Sequence, residues 1–240
     1  MKFGGVKALL LAFGFLPVVC TQGQQVIYNN TSQPLRGSDG NLIKASINTE
    51  YGEEIVLGGT ARQVQEFAFE YFAQTATQGD EFARVKFYRE DAGGWIQPNG
   101  LPSTDYLLPG SVIWDSGLFP VQEGYNSKDF TVEFANKTVI VPNAFIWSIQ
   151  FYGISQTTGD KAGLLYYYFP TVGLSYNDIW EKRANGWTPT ANDNLAKNNF
   201  NAYLVAVPEP SVVALGTLAL VVGGWSLLRR RPRQAVQATE

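Results

Sequence analysis

Apolar and polar residues alternate along much of the middle of this 240-residue chain. In the segment FAFEYF, Phe67, Phe69 and Tyr71 fall on one face of an extended backbone, and the residues between them fall on the other. A period of two residues is typical of a strand with one buried face. The same alternation occurs in FARVKFYRE at 82–90, DFTVEF at 129–134 and AFIWSIQFYGI at 144–154. Each of these segments is predicted to be a half-buried strand.

Two further segments complete the predicted set of strands. GLLYYYFP at 163–170 is apolar on both faces, which favours a central strand that ends at Pro170. NFNAYLVAV at 199–207 supplies a last strand. Glycine-rich turn clusters separate the strands, at 58–60, 77–80, 91–95, 108–110 and 157–160. Short strands with frequent turns predict an all-β fold, an antiparallel β-sandwich with jelly-roll-like connectivity.

Residues 173–200 interrupt this rhythm. Here Trp180 and Trp187 stand among polar and turn-forming residues. A connection of this length is usually functional, or it packs as a loop over one end of a sandwich. The sequence therefore predicts a long loop that carries two tryptophans.

The C-terminal region has a different character from the predicted sandwich. Residues 211–228 form a run of 18 residues without a charge, which covers about 27 Å as a helix and is just long enough to span a bilayer. Arg229, Arg230, Arg231 and Arg233 follow immediately. Arginines at a membrane boundary are held on the cytoplasmic side. The sequence thus predicts a single transmembrane helix, with most of the chain outside the cytoplasm.

The N-terminal region predicts the same orientation. Lys2 and Lys7 accompany an apolar stretch at 8–19 that is too short to span a bilayer. This pattern is typical of a secretory signal peptide, here residues 1–23, with cleavage between 20 and 24. Lipidation of Cys20 is the alternative, although Val19 is a poor residue for the position before a lipidated cysteine.

The segment at the junction of the two C-terminal features resembles a known sorting signal. Val207, Pro208, Glu209, Pro210 and Ser211, followed by one apolar helix and an arginine cluster, resemble the PEP-CTERM signal of exported proteins in Gram-negative bacteria. The resemblance covers residues 207–233 and implies processing by exosortase, a membrane enzyme similar to cysteine proteases. It implies that Pro208, Glu209 and Pro210 are the recognition element and that the arginines fix the orientation.

Two features qualify this resemblance. The short tail at 234–240 extends beyond the basic cluster, which makes the C-terminus longer than in the shortest examples of the signal. Because proline fixes φ and favours extended backbone, Pro208 and Pro210 would also serve as a stiff spacer next to the membrane. The two interpretations of the motif are compatible.

Residues 24–206 have the length of one domain, the predicted sandwich. Residues 24–207 carry 12 Lys and Arg against 19 Asp and Glu, a net charge of −7. An acidic surface argues against binding to nucleic acid, which requires a basic footprint. The only cysteine, Cys20, falls in the export region. No disulfide within the domain is expected, and its stability must come from packing.

The composition also limits the possible chemistry. The chain contains no histidine, so catalytic triads that use histidine and zinc sites with histidine ligands are excluded. A pair of carboxylates would still suit a glycoside hydrolase, which is the least favoured of the possible functions. Asp39 and Asp160 lie beside turn glycines, where ordinary turn chemistry is favoured over a calcium site. No cofactor and no metal are expected.

Aromatic residues in predicted loops suggest one binding function. Such rings either pack against the ends of the core or stack on sugar rings, and core packing is the favoured interpretation. The residues concerned are Trp95, Trp114, Trp180, Trp187, Tyr106, Tyr125 and Tyr176. Trp180 and Trp187, in the predicted long loop, are the candidate glycan contacts.

Together, these features predict an exported, non-enzymatic protein of the cell surface or extracellular matrix. Its expected partners are exosortase, the export machinery, the membrane and an exopolysaccharide. The expected route passes through an intermediate inserted in the inner membrane, with the domain in the periplasm, and ends at the cell surface or in a biofilm matrix. A carbohydrate-binding module is the alternative function.

Overall fold

The computed structural model describes residues 23–37, 40–41, 43–45, 48–74, 79–96, 106–155, 157, 159–176, 178–191 and 199–209. The predicted signal peptide, the apolar run at 211–228, the basic cluster at 229–233 and the tail at 234–240 lie outside these residues. Within the described part of the chain, no helix is both long enough and apolar enough to cross a bilayer.

The described residues form mostly strands, with one short helix. The strands in the first half are β1 Gln25–Asn29, β2 Arg36–Gly37, β3 Gly40–Asn41, β4 Ile43–Ala45, β5 Glu50–Val56, β6 Gln63–Gln74, β7 Phe82–Tyr88, β8 Ala92–Ile96, β9 Tyr106–Leu108 and β10 Val112–Pro120. The second half contains β11 Gly124–Asp129, the helix α1 Thr131–Ala135, β12 Ala144–Tyr152, β13 Lys161–Tyr167, β14 Leu174–Ser175, β15 Asp178–Arg183, β16 Gly186–Ala191, β17 Asn199–Phe200 and β18 Tyr203–Val207.

The first sheet is organised around β6. Its strand order is β1-β18-β6-β13-β17, and β11 and β4 pair with β6 and β13 respectively. The C-terminal strand β18 pairs along 63–68 of β6, while β13 pairs along 71–74. All of these pairings are antiparallel. The last described strand is therefore an interior strand of this sheet.

The second sheet has the order β10-β7-β12-β5-β15-β16, with β14 also paired to β5. It too is antiparallel. Two small hairpins, β2-β3 and β8-β9, lie outside the two main sheets. The prediction of an all-β fold made of antiparallel sheets is confirmed.

Aromatic side chains fill the space between the two main sheets. Phe67 of β6 packs edge-on against Phe87 of β7, with 5.0 Å between ring centroids, and against Trp147 of β12 at 5.3 Å. The predicted inward faces of 67–71, 83–87 and 145–151 are all buried. The period of two residues therefore identified the core face of three strands correctly.

One predicted strand is wrong. Within DFTVEF, the strand β11 ends at Asp129 and the helix α1 begins at Thr131. The Asp129 carboxylate accepts hydrogen bonds from the backbone N–H of Thr131 at 2.8 Å and from its hydroxyl at 3.0 Å. Phe130 and Phe134 are buried four residues apart, whereas Val132 between them is 73% exposed. On a helix, residues i and i+4 share a face and residue i+2 does not, which explains this burial pattern.

The predicted long loop at 173–200 is also wrong over most of its length. It contains β14 and the hairpin β15-β16, in which Arg183 pairs with Gly186 across a two-residue turn. Gly186 has a φ of +113°, a conformation that side chains with a Cβ rarely adopt. The two turn residues are Ala184 and Asn185, and asparagine followed by glycine is a turn signal in the sequence. Residues 192–198 lie outside the described residues.

The helix α1 makes a testable prediction about stability. Phe134→Ala should lower the free energy of unfolding by about 3 to 5 kcal/mol, because it leaves a cavity beside Trp114 and Phe87. Val132→Ala should change it by less than about 0.5 kcal/mol, because that side chain is exposed. Urea unfolding of residues 24–207 measures both. A strand at 129–134 would instead bury Val132 with its neighbours, so equal losses in the two variants would contradict the helix.

Candidate functional site

The described part of the predicted sorting motif leaves the fold directly from β18. Leu204 and Ala206 of β18 are fully buried, and Val207, the last residue of β18, pairs with Gln63, the first residue of β6. The next residue, Pro208, is half-buried, and Glu209 is exposed. Pro210 and Ser211 lie outside the described residues. No spacer separates the paired part of β18 from the motif.

Arg62 organises the loops next to this exit point. Its guanidinium donates hydrogen bonds to Asn143 Oδ1 at 2.8 Å, to the carbonyl of Gly59 at 3.0 Å and to the carbonyl of Ala61 at 2.6 Å. Burial lowers the pKa of Arg62, and the negative charge of Glu209 opposes this effect. The acidic residue of the motif therefore acts electrostatically on a residue of the folded domain.

Of the two candidate glycan contacts, Trp180 is unavailable for stacking. It lies in β15, is 0% exposed and clusters with Tyr88 and Ile146 on the outer face of the second sheet. Its partner across the pair is Gly52, where an added Cβ would approach Ile146 Cγ2 to 2.9 Å. Gly52 therefore leaves no room for a side chain at the point of β5 that pairs with Trp180. The burial of Trp180 therefore favours the packing interpretation over a role as a sugar platform.

Trp187 has a different environment from Trp180. It lies in β16 and is half-buried. Its ring packs edge-on against Tyr88, with 5.5 Å between centroids, and Lys182 Nζ lies 5.3 Å from its ring centroid. Lys182 therefore sits between two aromatic rings, since its Nζ is also 5.8 Å from the Tyr88 centroid. Part of Trp187 remains accessible to a ligand.

The other aromatic candidates divide between core and surface. Trp114 is buried and packs against Phe134, with 4.6 Å between ring centroids, so the core-packing interpretation is correct there. Tyr125 is exposed on β11 and packs against Phe72 at 4.8 Å. Tyr176 is also exposed. The side chains of Trp95 and Tyr106 lie outside the described residues.

Glu50 of β5 is the centre of a polar network beneath Trp187. Its carboxylate accepts hydrogen bonds from the Ser148 hydroxyl at 2.7 Å, the Tyr88 hydroxyl at 2.8 Å and Lys182 Nζ at 3.1 Å. Burial opposes ionisation, but these hydrogen bonds and the charges of Lys182 and Lys86 lower the pKa of Glu50 overall. Glu50 therefore remains a carboxylate and anchors the β15-β16 hairpin to the sheet.

Three other acids meet on the same outer face. Burial raises the pKa of Glu54 to about 8, with further contributions from the charges of Glu90 and Asp178. Glu54 and Glu90 are close enough to share a hydrogen bond. The carboxyl groups of typical glycoside hydrolases stand about 5 Å or more apart, so that a sugar or water fits between them. The Glu54–Glu90 pair lacks that separation.

Another acid, Glu53, is fully buried between the sheets. It accepts a hydrogen bond from the backbone N–H of Phe200 at 2.5 Å and bonds with the hydroxyls of Tyr28 and Ser175. Burial raises the pKa of Glu53 to about 8, although these hydrogen bonds oppose the rise. Glu53 links β5 to three segments distant in sequence, and at neutral pH it is largely protonated.

Of the two turn aspartates, Asp160 is described by the structure and bonds to the backbone nearby in sequence. Asp160 is buried, and its carboxylate accepts a hydrogen bond from the backbone N–H of Ser155 at 3.2 Å. Asp39 lies outside the described residues. Among the residues that are described, no three acidic or cysteine side chains are grouped so as to hold a metal ion.

Comparisons with known proteins give no relative for this chain: no family model, no curated protein and no solved structure matches it.

The raised pKa of Glu53 predicts how stability depends on pH. The unfolded carboxyl group titrates near pH 4.3 and the folded one near pH 8. The stability that the protonated Glu53 contributes is fully present below the pKa of the unfolded state. It is lost as the pH rises through the pKa of the folded state. Urea unfolding between pH 5 and 8 should show stability falling by roughly 1 kcal/mol per pH unit on account of Glu53.

Glu53→Gln keeps a neutral side chain of the same shape and should reduce this slope. Glu54 and Glu90, whose pKa values are also raised, should leave a residual slope of the same sign. Glu123→Gln, at an exposed position, serves as the control and should leave the wild-type slope unchanged. An unchanged slope in Glu53→Gln would mean that Glu53 is ionised in the folded protein at neutral pH.

Proposed function

We propose that this chain is an exported surface or matrix protein, sorted by exosortase through the Pro-Glu-Pro signal at 208–210. The folded part is a non-enzymatic structural or adhesive module. The signal peptide at 1–23, the membrane helix at 211–228, a jelly-roll-like connectivity and a final location in an exopolysaccharide matrix belong to the same proposal.

The observation that carries the proposal is the course of the chain at the end of β18. This strand lies between β1 and β6 in the first sheet, and the motif follows its last paired residue, Val207, directly. An interior strand resists extraction better than a frayed terminus, since its backbone hydrogen bonds are made on both sides. Such a strand can therefore join a displayed domain to its membrane anchor without being pulled out of the sheet easily.

The character of the folded part is consistent with display outside the cell. Residues 24–207 contain no cysteine, and their net charge of −7 favours solubility over attachment to anionic surfaces. Two of the buried acids occupy structural positions: Glu53 joins segments across the core, and Glu50 holds a hairpin to the sheet. Both acids therefore stabilise the fold, which supports the proposal of a non-enzymatic module.

The sorting proposal is tested by the mass of the mature protein in the producing bacterium. Wild-type protein should lack the residues that follow the motif. Replacement of Pro208, Glu209 and Pro210 by alanine should leave the full C-terminus in place and the protein in the inner membrane. The measurement is intact mass spectrometry of membrane and extracellular fractions.

Single substitutions sharpen this test. Glu209→Gln removes only the charge of the motif and should reduce processing at least several-fold, while the exposed Glu123→Gln should process normally. A wild-type protein that keeps its full C-terminus in the inner membrane would contradict sorting by this signal.

Glycan binding is a second candidate function, and the half-buried ring of Trp187 is the observation that favours it. This ring lies beside Lys182, whose ammonium group is a hydrogen-bond donor for sugar hydroxyls. Trp180 lies beneath the surface and is not expected to contact the glycan directly.

Affinity electrophoresis through gels that contain the organism's own exopolysaccharide tests this candidate. Retardation should occur only in gels with the polysaccharide, and Trp187→Ala should abolish it. Tyr125→Ala, which removes another exposed ring on the first sheet, should leave it unchanged. Unchanged mobility of the wild-type domain would argue against the glycan function and leave the sorting proposal intact.

A further inference from the structure

One end of the sandwich is built around the exit of the chain. This exit end comprises Gln25, the connection at 57–62, the connection at 138–143 and Val207. Backbone hydrogen bonds close it, from Val64 to the Val139 carbonyl at 2.9 Å and from Leu57 to the Asn143 carbonyl at 2.8 Å. The Gln25 side chain accepts hydrogen bonds from the backbone of 60 and 61. These bonds hold the connections of the two sheets together as one surface.

The length of chain after β18 limits how far this end can stand from a membrane. Val207 is still paired in the sheet, and the uncharged run begins at Ser211. Four residue steps of extended chain span at most about 14 Å. The headgroup layer on one side of a bilayer is roughly 5 to 8 Å thick. When the run is inserted, the exit end must lie at the headgroups or within roughly 9 Å of them.

The side chains around this end suit a headgroup layer. Ile140, which forms a bridge with Gln63, is 41% exposed. Two other exposed apolar residues, Val112 and Leu174, lie at the same end of the second sheet. Val112 pairs with Tyr88, the last residue of β7, and Leu174 pairs with Val56, the last residue of β5. Apolar side chains beside cationic ones are the usual composition of surfaces that rest in a membrane interface.

The basic residues nearby complement lipid phosphates. Arg62, Arg89 and Lys137 lie in the connections at this end, together with the acidic Glu90, Asp91 and Glu209. The domain as a whole carries a net charge of −7. Three basic residues balance three acidic ones here, so anionic lipids repel this end less than they repel the rest of the acidic surface.

From this geometry we propose that the exit end of the sandwich is a membrane-contacting surface, which rests on the lipid headgroup layer while the chain is anchored. The inference rests on the proposed function, because it takes 211–228 as the membrane span. Its occupant is the lipid surface itself. The Pro-Glu-Pro motif is then held within the headgroup layer, so the enzyme that processes it must act at that depth.

The opposite end of the sandwich supplies a control position. Gln74, the last residue of β6, is 11 residues beyond Gln63, or roughly 36 Å along the strand. Gln74 pairs with Lys161, the first residue of β13. Thr157, four residues before Lys161, is exposed and lies far from the exit end.

The test uses the unprocessed chain without its signal peptide, residues 24–240, reconstituted into vesicles of phosphatidylcholine and phosphatidylglycerol. This chain contains no cysteine, so Ile140→Cys and Thr157→Cys each accept a single environment-sensitive fluorophore. Lipids with a nitroxide on the headgroup should quench the fluorophore at 140 at least threefold more than the one at 157. Resistance to extraction with alkaline carbonate shows whether the chain is inserted in the bilayer, independently of the quenching.

The outcomes separate this inference from the proposed function. A chain that resists extraction but shows equal, weak quenching at both positions would overturn the membrane-contacting surface and leave the anchor intact. A chain that alkaline carbonate extracts would overturn both. Lys137→Glu should reduce quenching at 140 in anionic vesicles, whereas Lys161→Glu at the opposite end should not. Equal effects of the two charge reversals would contradict the assigned orientation.

Discussion

Aromatic rings from β6 interlock with rings from β7 and β12 across the space between the two sheets. Phe67 touches Phe87 and Trp147 together, and Trp114 and Phe134 close the same cluster from β10 and α1. Because large rings cannot slide past one another without leaving cavities, this packing fixes the register of the strands that carry them. The cysteine-free domain depends on this packing for its stability, and the strand ends and outer faces are positioned by it.

Two acids of β5, Glu50 and Glu53, show how position in the sandwich decides whether a carboxyl group is ionised. Glu53 points into the core, where burial raises its pKa and favours the neutral form. Glu50 points outward, where two hydroxyl donors and two lysines keep it ionised. One fastens the two sheets to each other, and the other fastens the β15-β16 hairpin to its sheet. That hairpin places Trp180 against the sheet and leaves the ring of Trp187 partly exposed.

The position of β18 connects the fold to the proposed fate of the protein. In the proposed function, an interior strand that runs directly into the sorting motif would leave no flexible linker between domain and membrane. Any load on the proposed tether would then be carried by the hydrogen bonds of β18 to β1 and β6. The same short connection would bring the residues around Arg62 to the lipid surface, next to the proposed recognition element.

The sequence by itself determined the fold class, the inward faces of β6, β7 and β12, and the end of the last strand at Val207, because these depend on local periodicity and composition. It did not distinguish helix from strand at 129–134. Residues four apart share a face in both, and only the exposure of Val132 decides. It also did not reveal that Trp180 is covered or that Glu53 meets Phe200, 147 residues away. Those facts depend on which distant segments arrive at the same place, and only the tertiary structure decides that.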